Sequence, residues 1–527
     1  MSEISSPTVD ASELSASASS VEASESKPPP SAAAKLVRQA SHYSLAGVLS
    51  VIAGMVTFPL LTRTLSVSDY GLLSLLTATL GIAVAIGKGG LQHAIVRYFA
   101  QVVSGKSSFT LEQLYSTALL GMLGSGLVVT LGLVVGSHFI RAESFQDGRI
   151  VLLMPLVGML VLVQVMDSSM SNFLLGDQKS TVLLKYEFTK KYLGLGAIVV
   201  AMLLVAPTLG NFFWAKLLAE CVALAVPAWA LFANAKRLRP RFANFSSSLY
   251  KQMLAFGLPM VIGYELSGMV LNVGDRYVID ALIGEDELGR YSAAYSLCQY
   301  AQTIFISSVG QAIMPIYMRM WDEKGPRETA RFVSDSLRSY VLMGAPVIAG
   351  LASVGPELLP SLASEKYANV GGVLPWISAG MIVDGAANFL GAGLFAQRRS
   401  RLTASLVFVS AMVNLGLNML MVPWFGVLGA AIATFSSYSF LCVGFTYFAR
   451  RDMPVRFPWA TALRAGAVAI LMYGALHFIC PGRRFLSVAV RAAIGAPLYI
   501  GAITWIDRDA RALLHTLLGK VRARLAS

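Results

Sequence analysis

The chain has 527 residues, 55% of them hydrophobic and 13% charged, with a mean hydropathy of +0.63 and a formal net charge of +13. Soluble domains carry about 25% charged residues, so this composition excludes an ordinary soluble enzyme. Apolar windows of about 20 residues, each able to cross a hydrocarbon core of about 30 Å, recur along the sequence and predict an all-α, polytopic membrane protein.

The positive charge would suit a nucleic acid if it were gathered on one surface. Here Lys and Arg fall mostly in alternate short connections between apolar runs. That is the pattern of the positive-inside rule, and no nucleic-acid motif accompanies it, so nucleic acid is not expected as a partner. Cys221, Cys298, Cys442 and Cys480 lie in or beside apolar runs without ligand spacing. They read as buried packing residues, and neither a disulfide nor a metal site is expected.

Residues 1–34 are rich in Ser, Ala, Glu and Pro and lack apolar periodicity, which predicts a disordered tail. With no basic stretch leading into an apolar core, they do not read as a cleaved secretory signal. Spans one to six are expected at about Tyr43–Leu61, Tyr70–Leu91, Leu114–Phe139, Ile150–Leu175, Ser180–Val205 and Asn211–Ala233. Arg141, Glu143, Asp147 and Arg149 mark an outer connection between the third and fourth. The fourth carries Asp167. The sixth carries Lys216 and Glu220 at i, i+4, a spacing that allows an ion pair.

The basic stretch from Lys236 to Phe242, followed by Lys251, is the best boundary between two halves. It separates residues 35–235 from residues 253–450, with 236–252 as linker. Spans seven and eight occupy Leu258–Tyr317 and break at an acidic turn, Glu285, Asp286 and Glu287. On the seventh, Glu265, Met269, Asn272 and Arg276 share one helix face, and on the eighth Tyr291, Tyr295, Gln299 and Gln302 line one side. Two neighbouring polar stripes predict the wall of a polar cavity inside the bilayer. Trp321–Arg331 reads as a short surface helix. Spans nine to twelve follow at Leu337–Val354, Val373–Ala396, Leu402–Val422 and Val427–Phe448. Residues 451–507 supply two more, Ala465–Ile479 and Val488–Ile506, before a basic amphipathic tail at 508–527. About fourteen spans put both termini on one side, and the Lys/Arg bias makes that side the cytoplasm.

Gly81–Gly89 imitates a phosphate-binding loop, but its spacing is one residue too long and Lys88 is followed by Gly, not Ser or Thr. The five histidines are scattered, without HExxH or GxSxG. No catalytic residue, cofactor or metal is expected. The embedded charges are the candidates. Pairing or snorkelling explains some of them, above all Lys88, Arg276 and Arg338 near span ends. Asp275 reads as pairing or capping, with Arg276 as a partner. Glu265 and Asp384, near mid-membrane, are expected to couple or gate. Asn388 follows Asp384 by four, and Asn414 and Asn418 repeat that spacing, which also suits interhelical hydrogen bonding.

Asp275–Tyr295 (DRYVIDALIGEDELGRYSAAY) resembles the seventh-span signature of bacterial polysaccharide transporters. These are the O-antigen and exopolysaccharide flippases of the multidrug/oligosaccharidyl-lipid/polysaccharide exporter superfamily. Phe58–Leu76 with Leu91–Phe99 resembles that family's first two spans, and Val422–Tyr438 resembles its eleventh-to-twelfth junction. The segments occur in the family's order. The resemblance implies two six-helix lobes around a central cavity, two appended C-terminal helices, and transport without enzymatic chemistry. It implies a lipid-linked oligosaccharide on undecaprenyl pyrophosphate as substrate, in the inner membrane beside polysaccharide polymerase and assembly proteins.

Pyrophosphate needs cationic partners, for which Lys88, Arg97, Lys216, Arg276 and Arg338 are the candidates. Sugar hydroxyls need polar and aromatic groups, for which Tyr291, Tyr295 and Gln299 are suited. Glu265, Asp384, Asp167 and Glu220 are the coupling or gating candidates. The cavity is expected to be net basic, with Lys88, Arg97 and Arg338 uncompensated. A drug/cation antiporter and a peptidoglycan-precursor flippase of the same superfamily are the alternatives, while a polymerase or ligase would carry a large periplasmic loop. Single cysteines placed at Arg239 and Arg399, in a chain without its native cysteines, should label only from the cytoplasm, and one at Asp286 only from outside. Outside labelling at position 239 would invert the topology.

Overall fold

The computed structural model describes residues 51–139, 149–233, 239–304, 308–479, 485–507 and 510–511. Among them there is no strand, and ten helices are long and apolar enough to cross a membrane, with two shorter apolar ones beside them. The expected tail at 1–34, the start of span one at Tyr43, the outer-loop charges Arg141, Glu143 and Asp147, and most of the tail at 508–527 lie outside the described residues.

In chain order the helices are α1 (Val51–Thr64), α2 (Val67–Lys88), α3 (Leu91–Val103), α4 (Leu111–Ser137), α5 (Arg149–Gly176), α6 (Ser180–Val200) and α7 (Leu209–Phe232). Then come α8 (Ser247–Leu282), α9 (Glu285–Gln302), α10 (Ser308–Lys324), α11 (Pro326–Leu362), α12 (Leu374–Leu390) and the short α13 (Ala392–Ala396). The chain finishes with α14 (Ser400–Ala449), α15 (Trp459–Ile479) and α16 (Phe485–Ile506).

Backbone groups in hydrocarbon must be satisfied within the chain, so each helix end needs a local partner. Ser66 caps α2 by accepting the Asp69 N–H at 3.0 Å. Thr110 and Gln113 form a reciprocal capping box on α4, and Thr208 accepts the Asn211 N–H before α7. The predicted junction between spans eleven and twelve is a break inside α14, where Gly426 adopts φ 59°. Two expectations change. Trp321–Arg331 is not a separate surface helix, because α10 runs through Lys324 and α11 begins at Pro326 after a break at Gly325 (φ 79°). The acidic triplet Glu285–Glu287 is the first turn of α9, where carboxylates favour the positive end of the helix dipole.

Lipid tails are as apolar as Leu, so helices associate here through close packing and hydrogen bonds rather than water exclusion. Large side chains on the lipid-facing surface remain exposed, among them Leu204, Trp214, Val222 and Trp229. Cys221 is exposed with them and is not the buried packing residue expected from the sequence. The tightest seams use glycine. A Cβ on Gly289 of α9 would fall 2.1 Å from the Val67 carbonyl oxygen, and one on Gly71 of α2 would fall 2.2 Å from that of Glu285. Along the same seam Ser292 donates to Ser74 at 2.8 Å, and Ser68 donates to Glu285 at 2.5 Å. Arg149 pairs with both Asp69 and Glu285, tying α5 to the same end. The last two helices dock on α11. Arg491 meets Glu357 at 3.1 Å, and the Tyr499 hydroxyl donates to the Leu342 carbonyl at 3.0 Å.

Candidate functional site

The seventh-span helix α8 is not regular. It contains Pro259, which lacks an N–H and crowds the preceding turn, and the next turn, Val261–Leu266, widens to a π-helix. Single π turns often mark functional positions. This one carries Glu265. Opposite it, α2 ends at two left-handed glycines, Gly89 (φ 55°) and Gly90 (φ 77°), before α3 begins. A Cβ on Gly90 would fall 2.2 Å from the Gly257 backbone, so glycine at both positions lets the α2–α3 junction press against α8. The Glu265 carboxylate accepts from Gln92 Nε2 at 2.6 Å and pairs with Lys88 Nζ at 3.7 Å, with His93 Nε2 at 3.9 Å.

A cavity of about 750 Å³ opens beside this contact. The predicted stripe of α8 (Glu265, Met269, Asn272 and Arg276) forms one wall. Thr77, Gly81 and His93 face it from α2 and α3, Gln299 from α9, Asp384 and Asn388 from α12, and Tyr438 and Phe445 from α14. The Tyr438 hydroxyl donates to Asn272 Oδ1 at 2.9 Å, and the Arg276 guanidinium lies 5.4 Å from the centre of the Tyr295 ring. Asp384 faces the cavity, and among the described residues no side chain is hydrogen-bonded to its carboxylate.

A second cavity, of about 650 Å³, lies among α1, α2, α5, α6 and α7. Its lining pairs charges closely. Asp167 meets Lys190 and accepts the Tyr186 hydroxyl at 2.5 Å. Glu220 pairs with Lys216 at 2.8 Å and accepts from Gln164 at 3.0 and 3.1 Å. Glu187, Lys191 and Lys88 complete the charged lining. Lys88 therefore lines one cavity while its partner Glu265 lines the other. The ion pair is the partition between them.

The structure thus gathers Glu265, Arg276, Gln299 and Asp384 at the first cavity, Asp167, Lys216 and Glu220 at the second, and Lys88 between them. Four candidates fall elsewhere. Tyr291 and Tyr295 are packed behind the wall, where Tyr291 donates to Asp275 at 2.6 Å and Tyr295 to Asn272 at 3.5 Å. Asp275 thus takes its hydrogen bond from a tyrosine hydroxyl, while the Arg276 guanidinium expected from the sequence acts on it electrostatically without direct contact. Neighbouring helix positions point about 100° apart, so the two residues leave on different faces.

Arg97 stacks on Phe256 at 4.4 Å, and Arg338 lines a separate hollow. The expectation of a net basic central cavity fails for the same reasons. Lys88 is compensated by Glu265, Arg97 and Arg338 are not in the lining, and Arg276 shares the first cavity with the Asp384 carboxylate. Sequence reasoning missed Gln92, Tyr186, Lys190 and Tyr438 as site residues. Lys190 stood in a charged run visible at the start of span five, but its partner could not be read.

Helices of spanning length around two cavities that carry charged and polar side chains define a multi-pass membrane protein. The profile of the family described as "Polysaccharide biosynthesis protein" matches residues 36–321, more than half of the chain, and the chain belongs to that family. The succinoglycan biosynthesis transport protein ExoT of Rhizobium meliloti is 23% identical over 505 residues, covering 89% of this chain and 92% of that protein. Among solved structures, the lipid II flippase MurJ in an inward closed conformation superposes with a TM-score of 0.71 at 13% identity, covering 89% of this chain and 99% of that one. An inward-facing multidrug resistance MATE family transporter superposes with a TM-score of 0.61 at 12% identity, covering 77% and 94%. At these identities the two structures establish the fold.

The Lys88–Glu265 partition should show in a double-mutant cycle. Lys88→Met leaves a half-buried carboxylate without its cation and should lower thermal stability in detergent. Lys88→Met combined with Glu265→Gln should recover part of the loss, giving a coupling of about 0.5–3 kcal/mol. Strict additivity would mean that the two residues do not interact.

Proposed function

We propose that this protein is a flippase that moves an oligosaccharide carried on undecaprenyl pyrophosphate from the inner to the outer leaflet of the bacterial inner membrane. The observation that carries the reading is the ion pair separating two polar cavities. One is lined almost wholly by helices that precede residue 236, the other mostly by helices that follow it. Residues 35–235 and 253–450 would be two six-helix lobes joined by the basic connection 236–252. Residues 451–507 would add two spans to make fourteen, with both termini cytoplasmic. Transport is rocking of one lobe against the other.

The lining chemistry supports a lipid-linked glycan. Lys88, Lys190, Lys191 and Lys216 present ammonium groups suited to a phosphate anion. Asn272, Asn388, Gln299 and Tyr438 offer the donors and acceptors that sugar hydroxyls need. Pyrophosphate entering the lysine-lined side competes with Glu265 for Lys88, so cargo binding itself loosens the partition. Glu265 and Asp384 are then the coupling carboxylates, and Asp167 and Glu220 hold the lysines in place. Polysaccharide polymerase and assembly proteins are the partners this reading implies.

Asp384 favours one rival, a drug/cation antiporter, because among the described residues no ion pair holds its carboxylate and a cation in the first cavity could take that place. A single experiment separates the readings. Cells that make the glycan but lack this protein should accumulate lipid-linked oligosaccharide on the cytoplasmic leaflet and lose surface polysaccharide. Glu265→Gln and Asp384→Asn should insert normally and restore less than about a tenth of the surface polysaccharide, each having lost a charged group acting during transport. Intact surface polysaccharide with raised sensitivity to cationic drugs would replace the flippase with the antiporter.

A further inference from the structure

Arg338 lines neither cavity. It belongs to a hollow of about 830 Å³ between the start of α11 and the segment entering α15. That hollow is lined by Arg327, Arg331, Arg338, Arg456 and Arg464, and among the described residues Asp335 is the one carboxylate in the lining. Arg464 has a further partner in Asp507 at 3.2 Å. The hollow is built rather than incidental, since the Arg456 N–H donates to Ser334 Oγ at 3.0 Å and fixes the two walls together.

Arg327 and Arg331 stand at i, i+4 in the first two turns of α11. Like charges at that spacing repel, and cations oppose the positive end of the helix dipole. Glu328 in the same turn is not part of the lining. Local rules broken together at one place point to a functional or strained site, and guanidinium groups suit phosphate oxygens.

The same hollow adjoins an apolar surface. Trp459 and Leu463 open α15, and with Ile470 they fall at i, i+4, i+11 on one face, 70%, 73% and 72% exposed. Phe457 packs against Trp459 with ring centres 4.5 Å apart. Tryptophan at the end of a span marks the headgroup level of a bilayer. Guanidinium groups at that level, continuous with an apolar helix face, match an amphiphile with an anionic head.

We propose that this hollow binds the headgroup phosphate of an anionic phospholipid, with its acyl chains along the exposed face of α15. In the topology argued above the site opens to the cytoplasmic leaflet. The lipid is a resident ligand and not the transported cargo, so the proposal stands apart from the flippase reading.

The test uses the full chain purified in an uncharged detergent, with no glycolipid present. Its thermal unfolding midpoint is titrated with dioleoylphosphatidylglycerol, with dioleoylphosphatidylcholine, and with inorganic phosphate. Phosphatidylglycerol should raise the midpoint saturably, and the other two should not at the same concentration. Arg331→Gln with Arg456→Gln should raise the half-saturating concentration about tenfold, as loss of two charge-assisted contacts implies. Arg331→Gln alone, at an exposed position that leaves packing intact, should raise it about threefold and decides the matter if the double variant does not fold. Equal stabilisation by phosphatidylcholine, or an unchanged response in the variants, would overturn the site. Displacement of phosphatidylglycerol by inorganic phosphate at equal concentration would make the ligand a soluble anion and overturn the lipid assignment.

Discussion

A carboxylate withdrawn from bulk water needs a cation or hydrogen-bond donors, because its desolvation is otherwise uncompensated. Glu265 meets that need through a single helix junction. Gln92 and Lys88 reach it from either side of Gly89 and Gly90, and those glycines allow the junction to lie against α8. The widened turn after Pro259 carries the carboxylate. Each part depends on the others. A side chain on Gly90 would separate the helices, and the loss of Lys88 would strand the charge.

The contact also sits where a transporter needs a reversible one. Packed interfaces move between discrete arrangements rather than deforming continuously. Two glycine seams join the earlier helices to the later ones, Gly90 with Gly257 and Gly71 with Gly289. Both are stitched by polar groups that can exchange partners: Gln92 with Glu265 in the first, Ser74 with Ser292 in the second. Parting either seam leaves these polar groups to be satisfied by water or cargo. On the proposed flippase reading, a pyrophosphate offered to Lys88 would supply the differential interaction that a shift between states requires.

Much of this architecture was legible in the sequence because the bilayer imposes length and apolarity on each span. The face carrying Glu265, Met269, Asn272 and Arg276 was legible too, since helical spacing alone puts those residues on one side. So was the Lys216–Glu220 pair, which is local. The remainder depends on which helices meet. Gln92 and Glu265 are separated by 173 positions in sequence, and nothing near either one names the other. Gln299 reaches the cavity as its face predicts, but Tyr291 and Tyr295 of the same face pack against Asp275 and Asn272. Arg97 and Arg338 sit at span ends, where a basic residue can turn towards a cavity, a ring or a separate hollow, and periodicity does not choose among these.

The central claim is that the two halves part along these seams during each transport cycle. The hydroxyls of Ser74 and Ser292 lie 2.8 Å apart, so cysteines at both positions, in a chain lacking its native cysteines, should form a disulfide on mild oxidation. Translocation of lipid-linked oligosaccharide in reconstituted vesicles, measured before oxidation, after it, and after reduction, tests the claim directly. The account predicts that the cross-linked protein is arrested and that reduction restores the original rate. Undiminished translocation by fully cross-linked protein would contradict it.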